Sequence, residues 1–482
     1  MYSAISSMYS NPRSRIILND HETDYFGCPI GVKQGDCLSP TLFAIFINDL
    51  ALEIKESNIG INLDDHLFLN ILMYADDIVL LAENEADLQS LLLIVEKWCK
   101  EWRLEVNLTK TNILHVRNKR KLQSKFVFLF NNRPVIYCKY YTYLGVSINE
   151  HLDFGFTAQV QADTAGRALS SIVTKMIKNG GFPYNVYSIL YETCITSISD
   201  YGGEVIGFSQ HEPTLRLHLR AIRAYIGVPK NATKAGVLSE VNWLLPGFRT
   251  KIKMVRYYHR LVKMEDTRLT KLVYLWDKSL AVQSWTSEVK SVFEDSNQST
   301  IFESGHLFPI KATVKNLEEY FLKIQQASLE LQCLNMSKLR TFLTFKNFLS
   351  VPSYLTKPLT FVQRRIMAKI RLGSLALRIE TGRYSRPRLL ENERTCQVCR
   401  LDTDQIELIG EVESEIHFIF NCNRYSDIRL IWLNRLSLPV DFNFLNVYQK
   451  LDLVLNHPEN VKATAQFLLN AYDAISKILS NI

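Results

Sequence analysis

Two groups of side chains in this chain have the types and spacing to do chemistry. The first is Asp76-Asp77, adjacent carboxylates in the stretch Met73-Tyr74-Ala75-Asp76-Asp77-Ile78-Val79, inside an apolar run from Ile71 to Leu81. Two negative charges held among apolar residues are costly unless a positive charge compensates them. A divalent cation is the natural partner, because Mg²⁺ takes one or two protein carboxylates and leaves its other positions to water and substrate phosphate. Asp is also common in turns, so a solvated acidic turn is the plain alternative. The second group is Cys396-x₂-Cys399, followed by His417 and Cys422. Thiolate and imidazole are ligands that Zn²⁺ prefers, and four of them close its coordination, which describes a structural site. Free buried cysteines are the alternative there. Cys28, Cys37, Cys99, Cys138, Cys194 and Cys333 show no such spacing and read as packing residues.

The elements around the acidic pair follow from pattern. The Ile-, Leu- and Val-rich flanks predict short strands with the two aspartates at the turn between them. Upstream, Gly31-Val32-Lys33-Gln34-Gly35-Asp36-Cys37-Leu38-Ser39-Pro40 reads as a glycine-containing loop. It feeds an amphipathic helix with Leu42, Phe43, Phe46, Ile47, Leu50 and Ile54 on its apolar face. Ser39 is expected to cap that helix, and Pro40 suits its first turn. Gly31 and Gly35 let a nucleotide approach the backbone closely, and Gln34 offers both a donor and an acceptor. Downstream, Asn84 to Trp102 reads as a helix capped by Asn84, with Leu88, Leu91, Leu92, Val95, Trp98 and Trp102 apolar. Thr111–Val116 and Phe126–Phe130 read as strands. The basic run between them (Arg117, Lys119, Arg120, Lys121, Lys125) fits an import signal, a phosphate contact or a solvated hairpin loop.

The glycine loop followed by Tyr-Ala-Asp-Asp resembles motifs B and C of reverse transcriptases, in the style of non-LTR retrotransposons. Leu104-Glu105-Val106-Asn107-Leu108-Thr109-Lys110-Thr111 is similar to motif D, and Tyr143-Leu144-Gly145-Val146 to motif E, the primer grip. The resemblance covers residues 27 to 148. It implies an α+β fold: a partial right-hand polymerase palm (1–150), an α-helical thumb (151–265), a helical connecting segment (266–390), a small C-terminal zinc-binding module (391–435) and a last helical segment (436–482). It implies an RNA-directed DNA polymerase that extends a DNA primer on an RNA template with deoxynucleoside triphosphates, by two-metal phosphoryl transfer. Asp76 would be a Mg²⁺ ligand with Asp77 beside it, and Lys110 a general acid for pyrophosphate. Gln34 and Gly35 would position template and nucleotide, Tyr74 would lie beside primer or template, and Tyr143, Leu144 and Gly145 would hold the primer end. Motif A and the basic fingers would precede motif B, so Met1 is expected to be an internal methionine of a larger polyprotein. Asp20, Glu22 and Asp24, in a polar hairpin loop, are the nearby replacement carboxylates. A non-catalytic nucleic-acid-binding protein and an inert mobile-element remnant stay open beside the polymerase.

The rest of the chain supports this division. Residues 156–264 are helical in texture, with helix-like spacing over Tyr184–Ser199, Pro213–Tyr225 and Phe248–Val262. His218, Arg220, Arg223, Lys251, Lys253, Arg256 and Arg260 mark basic faces suited to phosphates. Tyr201-Gly202-Gly203-Glu204 breaks the pattern and resembles a turn in non-LTR thumb regions. Ser284–Ser304 reads as loop-rich, and Leu359–Glu380 as a basic stretch with Arg364, Arg365, Lys369, Arg371 and Arg378. Gly382-Arg383-Tyr384 and the residues around the cysteines resemble the C-terminal zinc segment of the same proteins. An apolar content of 47% is enough for real cores and excludes a disordered chain. The net charge of +7 suits a polyanionic partner without demanding one. Cysteine usage without a dense disulfide pattern points to a reducing interior, nucleus or cytoplasm, and no apolar run is long enough for a membrane span.

Overall fold

The protein's computed structural model describes residues 2–19, 21–64, 67–280, 283–348, 350–400 and 411–479. They divide into two compact units, Met1–Tyr141 and Thr142–Ile482. Helices and small sheets together make a mixed α+β architecture, and every strand pairing among the described residues is two-stranded. Among these residues no helix is long and apolar enough to cross a membrane.

The first unit is built on helices Ser39–Glu56 and Glu85–Glu101. Asn84 caps the second: its side chain accepts the N–H of Asp87 at 2.9 Å, and Glu85 and Asp87 add negative charge to the first turn, where the helix dipole favours it. The first helix starts differently from expectation. Ser39 lies inside the helix, its hydroxyl donating to the carbonyl of Lys33, and the cap position is Leu38 with no side-chain bond. Asp36 accepts the N–H of Leu38 at 3.1 Å and so holds the turn that leads into the helix. Ile47, Leu50 and Ile54 from one helix meet Leu91, Leu92, Val95 and Trp98 from the other, with Ile71 of the acidic hairpin between them. A strand hairpin alone is marginal in water, so this helical cover is what holds it.

Two strand expectations need correction. The strand near Thr111 runs Asn112–Leu114 and pairs in parallel with Ile136–Cys138, not with the stretch near Phe126. That stretch contributes Leu129–Phe130, which turns back on Arg133–Pro134. The basic run from Arg117 to Lys125 therefore does not close a hairpin. Near the start, Arg13–Ser14 pairs with Phe26–Gly27 and Ile17–Leu18 with His21–Glu22. Glu22 is engaged by Arg15, and Asp20 lies outside the described residues.

The second unit is helical. Helix Phe154–Lys178 brings Ala162, Ala165 and Gly166 toward Glu212–Ile226, and small side chains allow the close approach. Tyr184–Leu190 continues through a π-helical turn, Tyr191–Thr196, to Ser199. Ser284–Ser304, expected to be loop-rich, is mostly helix. Ser284 caps Trp285–Asp295 in a capping box, and Val289, Val292 and Phe293 are buried in the core around Tyr258. Several residues assigned to the basic faces or to the basic stretch Leu359–Glu380 are interior. His218 is fully buried, with its Nδ1 2.7 Å from the Tyr191 hydroxyl. Arg364 donates to the Phe182 carbonyl and the Tyr225 hydroxyl. Arg371 pairs with Glu240 at 3.1 Å, both side chains wholly out of solvent.

Candidate active site and metal centre

In the first unit, strands Ile71–Tyr74 and Asp77–Leu80 pair antiparallel with Tyr74 opposite Asp77. The turn between them is Ala75–Asp76, so Asp76 stands at its tip and Asp77 opens the second strand. Ala75 takes the left-handed conformation with φ +53°, a strained choice for a residue with a Cβ. The apolar anchors, Ile71 above all, keep the hairpin on its helices while the turn residues project. Tyr74, Ala75, Asp76 and Asp77 are all exposed, and among the described residues no basic side chain pairs with either aspartate. Two hard, unpaired carboxylates beside each other are a donor set that suits Mg²⁺, provided that substrate phosphate or further carboxylates complete it.

Gln34 and Gly35 lie in the exposed turn before helix Ser39–Glu56. Gly31 and Gly35 have φ +88° and +85°, and a Cβ at either would meet nothing within 4 Å, so glycine there serves the backbone path. Tyr9 donates its hydroxyl to Asp36 at 3.1 Å, and Lys33 lies over the Tyr9 ring, tying this loop to helix Tyr2–Tyr9. Lys110 lies at the turn after Asn107, where its carbonyl accepts from Asn112 and Tyr141. Tyr143, Leu144 and Gly145 belong to the second unit. Leu144 and Gly145 both have positive φ, +47° and +81°, and a Cβ on Gly145 would come within 3.2 Å of the Tyr201 ring.

The structure brings the four expected sulfur and nitrogen ligands together. The donor atoms of Cys396, Cys399, His417 and Cys422 all lie within 4.8 Å of one another. Cys399 Sγ is 3.5 Å from His417 Nε2 and 3.4 Å from Cys422 Sγ. Tetrahedral thiolates around a zinc ion, each at about 2.3 Å, stand roughly 3.8 Å apart, so the cluster fits that ion. An antiparallel bridge, Thr395 to Val412, clamps the two halves. Cys396 N–H donates to the Glu411 carbonyl and Glu413 N–H to that of Arg394, both at 3.0 Å. The short helix Gln397–Arg400 then carries Cys399 back toward the π-helical turn His417–Asn421.

The three thiols differ: burial pushes the Cys399 pKa up, and the bond to Cys396, with burial, pushes that of Cys422 up. A hydrogen bond from Cys422, with another from His417, outweighs burial and holds the Cys396 thiol far toward thiolate. Burial opposes charge on His417, but bonds to Cys396 and Glu411 outweigh it and raise its pKa. Sequence reasoning missed Glu411, whose carboxylate stands 2.7 Å from His417 Nδ1 and leaves Nε2 to face the sulfurs. It also missed Arg340, which donates to both Glu380 and Glu415 at 2.6 Å beside the cluster. The acidic run Glu411, Glu413, Glu415 just before His417 was the available signal.

Residues 2–148 match the family described as reverse transcriptase (RNA-dependent DNA polymerase). The chain is 23% identical over 242 residues to the RNA-directed DNA polymerase from mobile element jockey of Drosophila melanogaster, covering 48% of this chain and 25% of that protein. It is 26% identical over 210 residues to a probable RNA-directed DNA polymerase from transposon BS of the same fly, covering 41% and 22%. With a Pol polyprotein from the type-1 retrotransposable element R2 of Nasonia vitripennis it shares 29% over 159 residues, 31% and 15% of the two chains. The chain thus spans a quarter or less of the length of these relatives. By that match and these likenesses, residues 2–148 are similar to the reverse transcriptase family, on its non-LTR retrotransposon side.

Proposed function

We propose that this chain is part of an RNA-directed DNA polymerase of a non-LTR retrotransposon, acting on an RNA template, a DNA primer and deoxynucleoside triphosphates. The observation that carries this is the exposed Tyr74–Asp77 hairpin, whose two carboxylates have no basic partner among the described residues, inside a segment that matches reverse transcriptases. Mg²⁺ bound there would polarise the phosphoryl oxygens and assist the attacking and leaving oxygens. Asp76, at the tip, is free to reach a metal; Asp77, facing Tyr74 across the strands, supports it. The loop at Gln34 and Gly35 lets template and nucleotide approach the backbone. Lys110 supplies a proton to the departing pyrophosphate, and the Tyr143–Gly145 turn holds the primer end. In the second unit, Cys396, Cys399, His417 and Cys422 hold a structural zinc ion that joins the two halves of their segment.

A second reading, a nucleic-acid-binding protein without catalysis, is favoured by a different observation. Among the described residues the only cluster of three or more metal-ligating groups is the cysteine–histidine one, so no third carboxylate gathers around Asp76. Under the polymerase reading, a longer polypeptide of this family carrying the chain extends an RNA-templated primer in Mg²⁺, and Asp76→Ala stops it. Under the second, neither extends a primer, while duplex binding persists and weakens steeply with salt as phosphate counterions are released.

A further inference from the structure

The segment between helix Arg378–Thr381 and the metal cluster takes no part in either site above. It runs Gly382-Arg383-Tyr384-Ser385-Arg386-Pro387-Arg388-Leu389 and forms a loop closed at its base. Leu389 N–H donates to the Gly382 carbonyl at 3.2 Å. The buried Arg394 guanidinium donates from Nε and Nη2 to the Leu389 carbonyl and from Nη1 to that of Ile379. Gly382 is required at this seam, since a Cβ there would lie 2.7 Å from Arg394 Cγ. Arg383 is committed to the base as well, through Ser337 and Glu380.

What this closed base presents is an exposed aromatic ring among unpaired cations. Tyr384 is 75% exposed. Arg386 and Arg388 are exposed and have no carboxylate partner among the described residues. From Tyr384 to Arg388 the chain reaches at most roughly 14 Å, so ring and guanidinium groups lie within reach of one short stretch of a ligand. A flat apolar face next to fixed positive charges matches an unpaired base next to its phosphates. A duplex offers the phosphates but keeps its bases stacked inside, so the ring has a partner only in a single strand. Ordering the loop in advance lowers the entropy lost on binding.

We propose that the loop Gly382–Leu389 binds single-stranded nucleic acid, Tyr384 stacking on a base while Arg386 and Arg388 pair with neighbouring phosphates. This rests on the nucleic-acid reading above and adds to it a contact outside the polymerase residues. The test is fluorescence anisotropy with the whole chain at low salt, using labelled uridine and thymidine oligonucleotides and a blunt RNA–DNA duplex. Tyr384→Ala should weaken single-strand binding by about tenfold or more, as loss of one stacked base does. Tyr384→Trp should retain it, and duplex affinity should not change in either variant. Arg386→Gln with Arg388→Gln should lower affinity and flatten the salt dependence by about one to two units of slope. An RNA arm bound more tightly than the DNA arm would assign the site to RNA, and the reverse to DNA; both outcomes support the loop as a single-strand site. Single-strand binding by Tyr384→Ala equal to wild type, or an equal loss on the duplex, would overturn the loop proposal and leave the wider reading standing. No binding of any probe by the wild-type chain would overturn both.

Discussion

Replacing Glu411 by Ala tests whether the cysteine–histidine cluster is a built metal centre, because among the four ligands the Glu411 side chain bonds only to the outer edge of His417, and its backbone bond to Cys396 stays in place. Its carboxylate stands 2.7 Å from His417 Nδ1 and accepts a second bond from Asn421 at 3.2 Å. The partner fixes the ring so that Nε2 faces the sulfurs. Loss of such a partner costs 10- to 100-fold in metal affinity, about 1.4 to 2.7 kcal/mol. The Glu411 side chain is 62% exposed, and solvent screening places the expected loss at the lower end, about tenfold. Cys399→Ser removes a ligand outright and should bring bound zinc from about one per chain to none after exposure to a chelator. Zinc content by elemental analysis and affinity by chelator competition measure both. Cys396, Cys422, Phe418 and Tyr425 belong to the largest core of the second unit, so metal loss should also lower its melting temperature. Unchanged zinc content in Cys399→Ser, or an unchanged affinity in Glu411→Ala alongside full occupancy, would refute this picture of the site.

Two further predictions concern the second unit. Breaking the buried Arg371–Glu240 pair with Glu240→Gln should destabilise it by about 3–5 kcal/mol in urea unfolding, whereas Arg371→Met with Glu240→Leu should recover much of that. His218 is held neutral, since burial and then the Arg249 charge push its pKa well below 6.5. The unfolded chain gains this proton first, so the stability contribution is complete above pH 6.5 and is lost as pH falls from there toward the folded value, by at most about 1.4 kcal/mol per pH unit. His218→Gln should flatten that slope in melting curves between pH 7 and pH 5; an unchanged slope would remove His218 as its source.

What the sequence disclosed was local. The Asn84 cap, the flanks of Asp76-Asp77 and the spacing from Cys396 to Cys422 each lie within a few turns of chain, so their patterns read directly. The parallel partner of Asn112–Leu114 does not, because a parallel pairing carries no turn signal. Arg364 and Arg371 read as surface because arginine almost always is; what buries Arg371 is Glu240, 131 positions away. Ser284–Ser304 looked like loop since its serines outnumber the apolar positions that form one helical face. Glu411 was hidden for the same reason as Arg371, its meaning lying in a contact rather than in a motif.

The most direct measurement is primer extension on an RNA template, in Mg²⁺, by a longer polypeptide of this family carrying this chain. Asp76 stands at the tip of its hairpin and Asp77 within the paired strand, so the two substitutions should differ. Asp76→Ala should abolish extension while leaving duplex binding and the melting temperature unchanged, and Asp77→Ala should reduce it less. Extension at the wild-type rate by Asp76→Ala would contradict the assignment of this hairpin to catalysis.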